Sequence, residues 1–99
     1  YYPRQLKEVI PKANYKEKEV LRGHSWSVRT LQVLPDGRIV SGSHDNTIKI
    51  WEKQESGKYK YIDTLGGHFS FVYTLQVLPD GRIVSGSNDR TIKIWEKQD

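Results

Sequence analysis

The stretch Val28-Arg-Thr-Leu-Gln-Val-Leu-Pro-Asp-Gly-Arg-Ile-Val-Ser-Gly-Ser-His-Asp-Asn-Thr-Ile-Lys-Ile-Trp-Glu-Lys-Gln54 returns almost unchanged from Val72 to Gln98. Within that window the two copies differ only at Arg29/Tyr73, His44/Asn88 and Asn46/Arg90. Self-similarity at a fixed spacing outweighs local propensity as a guide to architecture, because a repeated unit buries its apolar face against its neighbours. Outside the window, Gly23-His24 maps to Gly67-His68, which sets a period of 44 residues (23 to 67). Leu21 maps to Leu65 and Tyr15-Lys16 to Tyr59-Lys60, so the repeat begins near Asn14 or Tyr15 and runs to the end of the chain.

Each unit reads as short strands. Residues 28–34 are apolar-rich with partial alternation, and Pro35-Asp36-Gly37 supplies a tight turn. Residues 38–43 form a second strand and Ser43-His44-Asp45-Asn46 a second turn. Residues 47–53 form a third strand, with Ile48 and Ile50 expected on one face and Thr47, Lys49 and Trp51 on the other. Glu55-Ser56-Gly57-Lys58 leads into a fourth strand at residues 59–65. In the second unit the strands fall at 72–78, 82–87 and 91–98. The body is all-β. Residues 1–14 lie outside the repeat, and Leu6, Val9 and Ile10, between Pro3 and Pro11, have the spacing of one or two amphipathic helical turns.

Composition bounds the rest. Hydrophobic residues make up 35% of the 99, which argues against a large private core, although they cluster rather than being diluted as in disorder. There is no cysteine, hence no disulfide and no thiolate metal site, and no apolar run of membrane-spanning length or secretory leader. The absence of Met implies that the natural start was removed, processed or omitted. A net charge of +4 is spread among mixed Lys, Arg, Glu and Asp, the pattern of a solvated surface rather than a nucleic-acid groove.

Gly23-His24 and Gly67-His68, Ser-Gly-Ser-x-Asp at 41–45 and 85–89, and Trp51 and Trp95 six residues beyond each Asp closely resemble the WD-repeat family. The resemblance covers residues 15–99 in two copies, with Glu52 and Glu96 where the family name places Asp. It implies two four-stranded antiparallel blades of a β-propeller, packed radially around a channel. In that arrangement residues 15–21 are an outer strand completing a neighbouring chain's blade, 22–65 are the first repeat, and 66–99 are a second repeat lacking its own outer strand. Open edges and uncovered blade faces are unfavourable in soluble proteins. Head-to-tail completion by other copies follows as the expectation, a homo-oligomeric ring of four chains and eight blades favoured over three chains and six; the competing reading is an excerpt from a longer single chain of near-identical blades.

Each repeat holds His, Ser and Asp, which invites comparison with a nucleophile, base and carboxylate triad. The resemblance implies otherwise: a hydrogen-bonded relay of His24, Ser41, Asp45 and Trp51, and of His68, Ser85, Asp89 and Trp95, satisfying polar groups between sheets. Duplication favours that reading, since a scaffold element belongs in every blade and a catalytic site need occur once. The three histidines lack metal-ligand spacing, so neither metal nor cofactor is expected. The informative positions are those where the blades disagree. Ser27/Phe71, Arg29/Tyr73 and His44/Asn88 map by resemblance to the top rim around the channel, where partners bind. Trp26, opposite Ser70, fits either rim contact or edge packing. The resulting expectation is a non-catalytic, intracellular and cytoplasmic protein-interaction scaffold with no membrane contact, binding a protein or peptide on the rim. The alternative is an anion, phosphopeptide or nucleic-acid reader using Arg29, Arg90 and nearby Lys at the channel mouth.

Overall fold

A computed structural model describes residues 14–98. The helical turn expected at Leu6, Val9 and Ile10 lies outside the described residues. Seven strands follow in order: β1 (Val28–Val33), β2 (Ile39–Ser43), β3 (Ile48–Lys53), β4 (Tyr59–Leu65), β5 (Val72–Val77), β6 (Ile83–Ser87) and β7 (Ile92–Trp95). They form two antiparallel sheets, one of four strands in the order β1-β2-β3-β4 and one of three in the order β5-β6-β7. Residues 15–21 run alongside without a ladder partner of their own among the described residues.

One loop design closes the tight hairpins. In the first, Leu34 N–H donates to Arg38 O at 2.8 Å and Gly37 N–H to Leu34 O at 2.9 Å, with Gly37 at φ 94°. That is a three-residue loop ending in a left-handed residue, and Gly fills that position without steric cost. Asp36 locks it by accepting the Arg38 amide and pairing with the Arg38 guanidinium at 2.8 Å. The β2–β3 loop has the same form with Asn46 in the left-handed position at φ 74°, and its counterpart puts Arg90 there at φ 75°.

The ladders are not uniform. Val28 pairs with Ser43 and Thr30 with Gly42, which leaves Arg29 as an extra, bulged residue; Tyr73 is its counterpart on β5. A bulge twists a strand and re-aims the side chain it carries. A third irregularity falls on β4, where Ile50 faces Asp63 and Trp51 faces Tyr61.

The core lies between the sheets. β5 lies against β1 and β2. Val72 and Leu75, with Ile83 behind them, pack with Val40, Ile48 and Ile50 of the first sheet. Contrary to simple alternation, Ile48, Lys49, Ile50 and Trp51 are all buried in succession, because β3 is covered on both faces. The outward faces stay open. Leu31 is 59% exposed while its repeat equivalent Leu75 is 1% exposed, and Ile92 is 77% exposed against 0% for Ile48.

At Gly42 the second sheet comes close: a Cβ there would stand 2.7 Å from Val72 Cγ1, and 2.9 Å from Cγ2 of its own ladder partner Thr30. Gly42→Ala therefore overpacks the seam, and urea unfolding is expected to show a loss of about 1–3 kcal/mol.

Candidate functional site

Two groups of side chains carry chemistry. The first is the set His24, Ser41, Asp45 and Trp51. Trp51 Nε1–H donates to Ser41 Oγ at 2.8 Å, Ser41 Oγ lies 2.6 Å from His24 Nε2, and His24 Nδ1 lies 2.9 Å from Asp45 Oδ2. Asp45 accepts three further bonds, from Ser25 N–H at 3.0 Å, Thr47 N–H at 2.9 Å and Thr47 Oγ1–H at 2.6 Å. The second repeat reproduces the set: Trp95 to Ser85 at 2.8 Å, Ser85 to His68 at 2.7 Å, His68 to Asp89 at 2.8 Å, and Thr91 on Asp89.

For a neutral imidazole the hydrogens in this chain follow by elimination. Indole Nε1 only donates and an ionised carboxylate only accepts. Ser41 thus spends its own hydrogen on His24 Nε2, and His24 donates through Nδ1 to Asp45. Burial pushes the Asp45 carboxyl up, but bonds from the Thr47 hydroxyl, His24 and the Thr47 and Ser25 amides outweigh it and hold the group well below the usual carboxylate range. At Asp89 the Thr91 hydroxyl leads the same downward shift against burial, joined by His68 and the Phe69 and Thr91 amides. The distances are those of a Ser-His-Asp triad, but the setting is not. Ser41 is 2% exposed, and its oxygen is engaged on one side by an indole and on the other by an imidazole. Thr47 and Thr91 were not singled out from sequence; the Asp-x-Thr spacing in each turn, an Asx-type pattern, was their signal.

The second group contains four of the six residues expected on a rim, Arg29, His44, Phe71 and Tyr73, together with Trp26. His44 stacks on Phe71 with ring centres 4.3 Å apart and planes 16° from parallel. Tyr73 stands edge-on to both, at 6.4 and 6.2 Å, and the Arg29 guanidinium lies 5.6 Å from the Tyr73 ring centre. Trp26 closes the other side, edge-on to His44 at 6.4 Å and to Phe71 at 6.3 Å. His44 Nε2 is buried there without a hydrogen-bond partner among the described residues. Ser27 contributes its carbonyl, which accepts from His44 N–H at 2.9 Å and Ser43 Oγ–H at 2.8 Å and so fixes the turn that carries His44. Asn88 sits apart from the cluster, bonded to Phe71 O through its amide and to Ser70 Oγ through its side chain. The cluster straddles the seam: Trp26, Arg29 and His44 come from the first repeat, Phe71 and Tyr73 from the second. Among the described residues no group of three His, Asp or Glu has the closeness to hold a metal ion.

Comparison with known proteins matches residues 15–52 and 59–96 to the family described as WD domain, G-beta repeat. Elongator complex protein 2 of Dictyostelium discoideum is 48% identical over 48 residues, 44% of this chain and 5% of that protein. The ribosome biogenesis protein BOP1 homolog of Drosophila grimshawi is 57% identical over 37 residues, 36% of this chain and 5% of that protein. The crystal structure of the WD40 beta propeller domain of Doa1 superimposes with a TM-score of 0.69 at 28% identity, over 81% of this chain and 27% of that one. The chain thus spans a small part of the proteins it matches.

Ser41→Ala removes the acceptor of the Trp51 indole and the donor to His24 at once; each group left unpaired costs about 1–3 kcal/mol, and chemical denaturation is expected to read a loss in that range or above. A second expectation concerns acid. A carboxyl whose folded pKa is depressed adds stability above its unfolded value of about 3.9, and that stability is lost as pH falls below it. The thermal midpoint therefore drops from about pH 4 downward. Asp45→Asn with Asp89→Asn flattens that slope, leaving the smaller share of Asp36 and Asp80, which Arg38 and Arg82 hold down through their amides and guanidinium groups.

Proposed function

The chain belongs to the WD40 repeat family, and from that membership we propose that it is a non-catalytic protein-interaction scaffold. Copies close head to tail into a propeller ring, and each copy presents one partner site on the rim. The observation that carries this reading is the Trp26, Arg29, His44, Phe71 and Tyr73 cluster. Four of the residues at positions where two otherwise matching repeats disagree, Arg29, His44, Phe71 and Tyr73, meet one another there. Aromatic and Arg side chains gathered at a seam are the residue types that anchor interfaces. The relay residues, by contrast, serve the fold: their polar atoms are spent on one another, which is the reason for reading no enzyme here. Intracellular, cytoplasmic residence goes with the same reading.

Ring closure is supported by the seam inside the chain. The face that β5 and β6 turn to the first sheet carries Val72, Leu75 and Ile83, and the open face of β1 and β2 carries the matching Val28, Leu31 and Ile39. Val40, Ile48 and Ile50 are matched in turn by Val84, Ile92 and Ile94 on the open side of the second sheet. A second copy stacked on either end repeats an interface already known to pack. Residues 15–21 of one copy take the free edge of β7 in another, as β4 takes β3. Four chains and eight blades are preferred to three and six. Ring and rim then combine, because one weak site per chain, repeated around a rigid ring, gains affinity from its copies.

Light scattering of the chain is expected to give four times its 11.5 kDa, and a mass of one chain at every concentration overturns ring closure. Peptides selected from a displayed library against the assembled protein are expected to lose binding to Arg29→Ala with Tyr73→Ala while the particle mass stays. Binding that collapses between low and physiological salt replaces the peptide site with an anion reader.

A further inference from the structure

Lys49 is buried and has no carboxylate partner among the described residues. Its Nζ donates to Thr64 Oγ1 at 2.9 Å and lies 4.1 Å from the centre of the Tyr61 ring, both on β4. The ladder explains the match: Lys49 pairs with Thr64, and the β4 bulge brings Tyr61 opposite Trp51, against whose indole it stands edge-on at 5.4 Å. The outer strand of the first sheet therefore stabilises the lysine with a π-face and a hydroxyl.

Lys93 occupies the same place on β7, with no ion pair among the described residues. Residues 15–21 match β4 position by position, with Tyr15 for Tyr59, Lys16 for Lys60 and Leu21 for Leu65. Both partners of the lysine are changed, however: Glu17 stands for Tyr61 and Val20 for Thr64. Glu17 is exposed in the single chain, and Glu19 two residues on accepts the Tyr59 amide at 2.7 Å, holding this segment beside the first sheet.

We propose that in the joint between two copies Glu17 of one chain pairs with Lys93 of the next, so that an ion pair replaces the cation–π contact of the internal blade. The inference rests on the ring reading above. In the β3–β4 register Lys16 falls opposite Glu96, as Lys60 falls opposite Glu52, and Glu17 falls opposite Trp95, diagonal to Lys93 as Tyr61 is to Lys49. Opposite charges facing across antiparallel strands are favourable and like charges are not. The two outer strands of the ring thus differ in kind: the covalently attached one holds its lysine by aromatic packing, the exchanged one by charge. High salt, with a screening length of about 3 Å at 1 M, weakens the joint between copies and spares the blade within each.

Charge reversal tests this. Glu17→Lys and Lys93→Glu are each expected to fall to the mass of a single chain, since each sets like charges against one another at every joint. Mixed in equal amounts, the two variants are expected to reassemble, because every joint of an alternating ring then joins opposite charges. Alternation closes only rings with an even number of chains, so native mass spectrometry should find two of each in a four-chain particle. A single variant that assembles like the unaltered chain overturns the pair, as does a mixture that stays dissociated while the unaltered chain forms rings. An unaltered chain that never assembles overturns the ring reading itself, and the pair with it. Far-ultraviolet circular dichroism of each variant separates a lost joint from a lost fold, and the mixture provides the same control.

Discussion

A small sheet that is apolar on both faces cannot stand alone, and the rest of this molecule follows from that constraint. β3 has four consecutive buried residues, Ile48 to Trp51, because β5 and its sheet cover one face and the loop through Gly23 covers part of the other. In a sheet with one wet face the chain alternates; here alternation is suppressed by the neighbour. Once each sheet needs a neighbour on both sides, the natural solution is a closed succession in which no sheet is last. The gain is hydrophobic and non-directional. What makes the packing specific is polar.

The relay supplies that specificity. It joins the third strand, the second strand, the loop before the first and the turn between the second and third, with a donor-only indole at one end and an acceptor-only carboxylate at the other. The bonds therefore run in one direction, from the indole to the carboxylate. Partly satisfied, such a network would be worse than an apolar core; complete, it fixes one arrangement of strands. Its serines, Ser41 and Ser85, are buried.

Much of this was legible in the residues. The 44-residue period and the Pro-Asp-Gly turns locate most strands to within a residue or two, because turn chemistry and repeat spacing are local signals, whereas the relay was implied by the family resemblance that the Gly-His, Asp and Trp markers carry. Strand ends were less legible: the last strand stops at Trp95 rather than running to Gln98, since no partner strand extends its ladder. The face assignment at Lys49 and Trp51 failed to anticipate burial on both sides, which depends on neighbours rather than on the strand. Arg90 in a left-handed backbone position was invisible, because the conformation is imposed by a hairpin whose other copy holds Asn46. Trp26 could not be assigned from sequence, as its partners Phe71 and His44 lie across the seam. Comparing the repeats did identify the cluster's other members, for a position where one copy departs from its twin is one that packing of the repeat does not dictate.

The two bulges show why departure was possible there. A side chain in a regular strand answers to one face or the other, so changing it disturbs either the core or the ladder. Arg29 and Tyr73 are supernumerary in their ladders and answer to neither. After a duplication, such a position is open to drift while its flanks are held. The irregularity thus works as a reservoir of variation: it lets twin segments acquire separate identities without either losing its shape.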